Sequence, residues 1–225
     1  MTSRLALGAF ALALAADLVA VSADAKAAEW VAKPLLMPAL AVVAIAAGAA
    51  RRSGGRPLLW ALGTAWVADV ALLFDSETAF LVGMACFAGM QICYVAGFAR
   101  LGALQVLRWR PWIPAGYLTF WAAFNAAMWP RFGELSAPIA VYSLLLCAMA
   151  ATAAGVSAPV ALGGALFVVS DLMIGLGAAD IGFAGQGAAI MASYAAAQLL
   201  IVTGWLRRLP KKPEVRQASV IGSAS

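Results

Sequence analysis

The chain has 225 residues, of which 64% are hydrophobic and 11% charged, with a mean hydropathy of +0.92. A water-soluble domain carries roughly 25% charged residues, so too little polar surface is present to cover a soluble globule. The formal charge of +5 is not gathered into a stripe but sits at the ends of apolar runs. That placement argues against nucleic acid as a partner and for a membrane topology signal.

Eight apolar runs follow one another, each close to the length that crosses ~30 Å of hydrocarbon. They are apolar on all sides and lack the alternation of barrel strands, so each is predicted to be a helix satisfying its own backbone. The first span, 4–24, starts at Arg4 and ends near Ala23, Ala25 and Ala27. Those features also suit a cleaved secretory signal. The run is long for one, however, and Asp17 interrupts it, so the span is read as retained; cleavage would leave seven helices. The second span, 33–50, opens at Lys33-Pro34, and the third, 57–74, contains Trp66 and Asp69. On the fourth, 79–99, Gly83, Phe87, Gln91 and Tyr94 fall on one stripe. The fifth, 112–128, holds Asn125, and the sixth, 137–155, holds Tyr142. The seventh, 159–178, carries Ser170 and Asp171, and the eighth, 186–206, places Tyr194 and Gln198 one turn apart. Cys86, Cys93 and Cys147 all fall inside spans and read as small packing residues. The short connections predict that consecutive helices are antiparallel neighbours.

The expected architecture is therefore an all-α, polytopic transmembrane bundle of about eight helices in one domain, 1–208. A polar tail, 209–225, is expected to be disordered in the cytoplasm. Pro57 precedes Asp69 by the same interval as Pro159 precedes Asp171, which hints at a repeat of two halves, 1–104 and 105–208. Assigned to alternate sides, twelve of the 15 basic residues lie with Arg4, Arg51, Arg100 and Arg207, and three (Lys26, Lys33 and Arg131) lie opposite. The positive-inside rule then puts both termini in the cytoplasm and the protein in the inner cell membrane as a multi-pass species.

An ionisable side chain at mid-bilayer costs on the order of 3 kcal/mol, so its presence asks for a reason. Asp69 and Asp171 lie deepest, each about 18 Å from a cytoplasmic helix start at ~1.5 Å per residue. Asp17 is read as structural or as lying near an interface. Gln91, Tyr94, Asn125, Tyr142, Tyr194 and Gln198 are candidates to line a polar cavity between the third, fourth, seventh and eighth helices. For each of them the plainer alternative is hydrogen-bonded glue between helices. The chain has no histidine, which removes Ser-His-Asp and Cys-His catalysis and His-rich zinc sites. It contains no nucleophile elbow and no phosphate-binding glycine loop. No metal or cofactor is expected. What remains is acid/base work by paired carboxylates, a pair that can hold one proton and one negative charge out of water. Such a pair suits hydrolysis of an acid-labile bond through an oxocarbenium ion. A proton-coupled transporter or flippase of a lipid-like solute would use the same acids, and a non-enzymatic lipid-binding protein would use them only for structure.

At these residues the chain resembles the YhhN-like family of lysoplasmalogenases, eight-helix membrane proteins. The resemblance rests on Lys33-Pro34, the run ending in Asp69, Gly83 through Tyr94, Tyr142, Phe167 through Asp171, and Tyr194 through Gln198. It extends in order over roughly residues 5–206. It implies hydrolysis of the vinyl ether of lysoplasmalogens to a fatty aldehyde and a glycerophospho-base, with a lysophospholipid as substrate and membrane lipids around it. The resemblance carries the family's polar positions onto Lys33, Asp69, Tyr94, Asp171, Tyr194 and Gln198. Joined to the paired-carboxylate reading, it makes Asp69 and Asp171 the expected catalytic residues, one protonating the vinyl ether and the other supporting the cation or the water. Lys33 would hold the phosphate, and Gln91, Tyr94, Asn125, Tyr142, Ser170, Tyr194 and Gln198 would line the substrate site. Two positions depart from the family pattern. Ala68 stands where Gly is common, and Gln91 stands where His is common, so no proton shuttle is available at that point.

Overall fold

The computed structural model describes residues 2–210, and within them every regular element is helical. The helices are α1 (Thr2–Ser22), α2 (Lys26–Ala46), α3 (Arg56–Ala71), α4 (Glu77–Arg100), α5 (Ala103–Trp109), α6 (Trp112–Phe132), α7 (Ser136–Ala154), α8 (Ala158–Ala178) and α9 (Gln186–Arg208). Six helical segments among the described residues are long and apolar enough to cross a membrane. One of these, Trp112–Ala154, is 43 residues long. It folds back at the 3₁₀ turn Gly133–Leu135, so α6 and α7 lie side by side. The chain is a multi-pass membrane protein, and the eight predicted spans correspond to its eight long helices. Of the predicted tail, 211–225 lies outside the described residues.

Consecutive helices pack as neighbours with one exception. α4 packs on α7 and α1 packs on α9, which closes α1–α2–α3–α4–α7–α8–α9 into a ring. α6 stands outside the ring against α7 and does not pack along α4 or α8. The cause is α5, a seven-residue helix that lies between the fourth and fifth predicted spans. It begins after Gly102, whose φ of +88° suits glycine alone among common residues. It leaves Leu104 and Trp109 exposed and lies against α7, carrying the chain outward before α6 begins.

α2 also departs from expectation. It starts at Lys26 rather than at Lys33, and Pro34 and Pro38 lie inside it. The first turns carry Lys26, Glu29 and Lys33, so an apolar window misses them although the helix is already formed. Pro38 has no N–H to give the Pro34 carbonyl. The Trp66 indole Nε1 of α3 donates to that carbonyl instead, at 3.0 Å. The kinked helix is thereby tied to the helix that carries Asp69. Above this junction Trp30 and Phe74 meet edge to face at 4.8 Å, and Lys26 pairs with Asp75 across the two loops.

Small residues let the remaining helices approach closely, the usual source of packing in lipid, where apolar contact alone gives no net drive. Gly163 of α8 faces the Ala197 carbonyl and Ile201 of α9, and Gly164 faces Ala150 and Ala153 of α7. Gly97 of α4 is the tightest of these positions, because a Cβ there would fall within the ring of the fully buried Trp205. Trp205 is pinned by its Nε1, which donates to the Gly54 carbonyl at 3.1 Å, so it cannot swing aside. Gly97→Val is expected to cost about 1–3 kcal/mol, as overpacking does. A lowered melting temperature in detergent checks this.

Candidate active site

The polar side chains inside the bundle fall into two groups. The first lies between α2, α3, α4 and α9. Tyr94 donates to Gln198 Oε1 at 2.5 Å, and Gln198 Nε2 lies 3.4 Å from the Tyr194 hydroxyl. Tyr194 in turn donates to the Asp69 carboxylate at 2.9 Å. The chain thus leads from Tyr94 through Gln198 and Tyr194 to Asp69, and Gln198 Nε2 also lies 3.3 Å from Met90 Sδ. Asp69 is only 2% exposed, and the charges nearest to it are Lys33 and Asp17. Lys33 is itself 9% exposed and pairs with Glu29 at 3.6 Å. Asp17 is fully buried, and neither of its oxygens has a protein hydrogen-bond partner.

The second group surrounds Asp171. Tyr142 of α7 donates to its carboxylate at 2.5 Å. Gln91 of α4 lies beside the Tyr142 hydroxyl, and its amide, fully buried, has no partner at either end. Asp171 is only partly buried because it stands in the wall of a cleft. The cleft lies between α4, α6, α7 and α8 and has a cavity volume of about 80 Å³. Its lining is mostly aromatic and aliphatic: Phe80, Phe87, Phe120, Trp121 and Phe124 supply the rings. Asn125 is the other predicted residue that reaches it. Its Nδ2 donates to the Trp121 carbonyl at 2.9 Å and to Ser143 Oγ at 3.1 Å, and its Oδ1 is left without a protein partner.

The two groups meet at an aromatic partition. Phe87, Phe167 and Tyr194 stack edge to face, with ring centroids 5.5–6.2 Å apart. Phe87 lines the cleft on one side and Tyr194 holds Asp69 on the other. Asp69 and Asp171 therefore share no partner: each accepts from a different tyrosine. The cavity predicted between the third, fourth, seventh and eighth spans is displaced by one helix. It opens among α4, α6, α7 and α8, is largely apolar, and receives Asp171, Tyr142 and Asn125. Asp69, Tyr94, Tyr194, Gln198 and Gln91 lie behind its wall. The displacement follows from the position of α6, which leaves room on the α7 side, whereas the helix junctions around Tyr94 and Gln198 are filled by Phe98, Met90 and Trp205. Ser170 turns away from the cleft and donates to the Ile190 carbonyl of α9 at 3.1 Å. Lys33 faces carboxylates instead of standing free at the cleft.

Sequence reasoning missed the aromatic lining, Ser143, and the place of Cys147 in the cleft wall. A helix surrounded by lipid is apolar on its outer face as well, so apolar periodicity carries no signal for an inner aromatic face.

A polytopic helical membrane protein with a carboxyl group set into a largely apolar cleft is the class that fold and site define. The chain belongs to the YhhN family, whose sequence model matches residues 28–205. Proteins named Lysoplasmalogenase from Mycobacterium bovis (strain ATCC BAA-935 / AF2122/97) and Mycobacterium tuberculosis (strain CDC 1551 / Oshkosh) are each 31% identical to it over 184 residues. These alignments cover 77% of this chain and 70% of the relatives. No solved structure matches the chain.

Proposed function

We propose that the protein hydrolyses the vinyl ether bond of lysoplasmalogen-like lysophospholipids, releasing a fatty aldehyde and a glycerophospho-base. The observation that supports this most is the single reachable carboxyl of Asp171 in a cleft of aromatic rings. The family and the names of the relatives support the same reading. A single-chain lipid is apolar where this cleft is apolar, and its one acid-labile bond needs one proton donor.

In this reading the Asp171 carboxyl gives its proton to the alkenyl carbon remote from the ether oxygen. The double-bond electrons form the new C–H bond, and the positive charge spreads over the other carbon and the oxygen. The carboxylate left behind and the faces of Phe87, Trp121 and Phe124 stabilise that cation. Water adds to the cationic carbon and returns a proton to the carboxylate. The resulting hemiacetal breaks its bond to the glycerol oxygen, which takes up a proton as the carbonyl forms. One water is consumed in all. Asn125 Oδ1 is an acceptor left for that water or for the glycerol hydroxyl. Asp171 takes the proton-transfer role and Asp69 the supporting one, by holding Tyr194 against the inner face of the cleft. The basic-residue excess supports an inner-membrane protein with both ends cytoplasmic.

Purified protein supplied with lysoplasmenyl-ethanolamine is expected to release fatty aldehyde and glycerophosphoethanolamine in equal amounts, read by mass spectrometry. Substrate that binds and is never cleaved, or that crosses a liposome membrane intact, would contradict the proposal.

A further inference from the structure

The cleft around Asp171 has an apolar neighbour. A second groove runs between α6 and α8, lined by Ile113, Gly116, Tyr117, Phe120, Ala154, Ala165 and Val168. Phe120 and Val168 belong to both walls, so the two spaces adjoin across these two side chains. At the opposite end the cleft is stopped by packed side chains, with Phe132, Ile139 and Ala179 closing against Met84, Phe124 and Met128. A long apolar occupant that passes between Phe120 and Val168 would run away from Asp171 toward the starts of α6 and α8. From Asn125 back to Ile113 is twelve residues, ~18 Å of helix at ~1.5 Å per residue, which is on the scale of a long hydrocarbon chain. The groove exists because α6 packs along α7 and not along α8, and because small residues face it. Gly116 has no atom within 4 Å of where a Cβ would stand.

We infer that the α6–α8 groove holds the hydrocarbon chain of the lipid whose ether bond lies at Asp171, and that the groove sets chain-length preference. This rests on the proposed vinyl ether hydrolysis for the position of the bond, though not for the presence of the chain. Surrounding lipid is as apolar as the groove, so the groove contributes little affinity. Its contribution is shape. A chain seated along α6 and α8 fixes the depth at which the head-group end presents its first carbons to Asp171. A chain too short or too bulky leaves that register undetermined.

The test is Gly116→Trp, which fills the groove where a side chain meets no backbone. The ratio of kcat/KM for a long-chain over a short-chain lysoplasmenyl-ethanolamine is expected to fall about tenfold, the low end of what steric fit in a pocket commands. Leu12→Trp, on the lipid-facing side of α1, is expected to leave the ratio where it is. An unchanged ratio in Gly116→Trp, or an equal change in both variants, overturns the assignment. A second measurement does not depend on turnover. A saturated ether lysophosphatidylethanolamine with a diazirine at its chain end is expected to label α6 and α8 peptides near Ile113 and Ala154, and to lose that labelling in Gly116→Trp. Labelling confined to other helices, with hydrolysis intact, sinks the groove and leaves the enzyme standing. Labelling at the groove without any aldehyde from the vinyl ether substrate does the reverse.

Discussion

Replacing Asp171 with Asn lowers aldehyde release from lysoplasmenyl-ethanolamine by roughly 10²- to 10⁴-fold, the usual range for losing a positioned general acid. The protein stays folded. Asn keeps an oxygen that accepts from the Tyr142 hydroxyl, and the side chain sits in a cleft and not in a closed core. What it loses is the proton for the alkenyl carbon and the negative charge that faces the cation. Tyr142→Phe removes the donor that orients the carboxyl and is expected to cost far less, about tenfold in kcat, because the acid itself remains. The checks are kcat/KM by mass spectrometry alongside a melting curve for each variant. Wild-type turnover in Asp171→Asn would remove Asp171 from the chemistry and, with it, the cleft.

Lys33→Met is expected to lower stability by about 1–3 kcal/mol, the cost of leaving polar groups without their partner, because Lys33 is nearly buried while Glu29, its partner at 3.6 Å, stays a quarter exposed. Lys33 pairs with Glu29, and Asp69 and Asp17 are its other charged neighbours. Removing it takes away the cation shared by the neighbourhood of Glu29, Asp17 and Asp69. Neutralising Asp69 as well, in Lys33→Met/Asp69→Asn, is expected to restore part of the loss, whereas two independent sites would give additive losses. Reversible unfolding in detergent measures both. The family resemblance assigns Lys33 to the substrate's phosphate. A Lys33→Met protein that melts like the wild type but shows a raised KM would favour that role over the structural one.

Much of this fold could be read from the chain because lipid imposes one simple demand, a helix of sufficient length closed on its own hydrogen bonds. The eight runs met that demand, and seven of the predicted starts fall within two residues of the observed ones or coincide with them. α2 was misjudged because a proline at a helix start is ordinarily a boundary mark, and here an indole from another helix takes over the carbonyl that Pro38 leaves free. α5 was invisible because seven residues are too short for a span and too apolar for a plain loop. The site was legible only in part. Asp69 and Asp171 are conspicuous because charge in lipid is costly, and Tyr142, Tyr194 and Gln198 proved to be held against carboxylates or against one another. Which acid opens to a cleft could not be read. That depends on where α6 stands, and α6 is placed by α5 and by the contacts of α7, not by any residue of the site.

The most direct measurement is hydrolysis of lysoplasmenyl-ethanolamine in D₂O, with the aldehyde trapped at once by borohydride and weighed as the alcohol. Proton transfer to carbon from an acid in exchange with solvent predicts one deuterium on the carbon next to the former carbonyl, in wild-type product and not in any appreciable amount from Asp171→Asn. Aldehyde formed by the wild type without that deuterium, or no aldehyde from a substrate that demonstrably binds, would contradict carbon protonation at the Asp171 cleft.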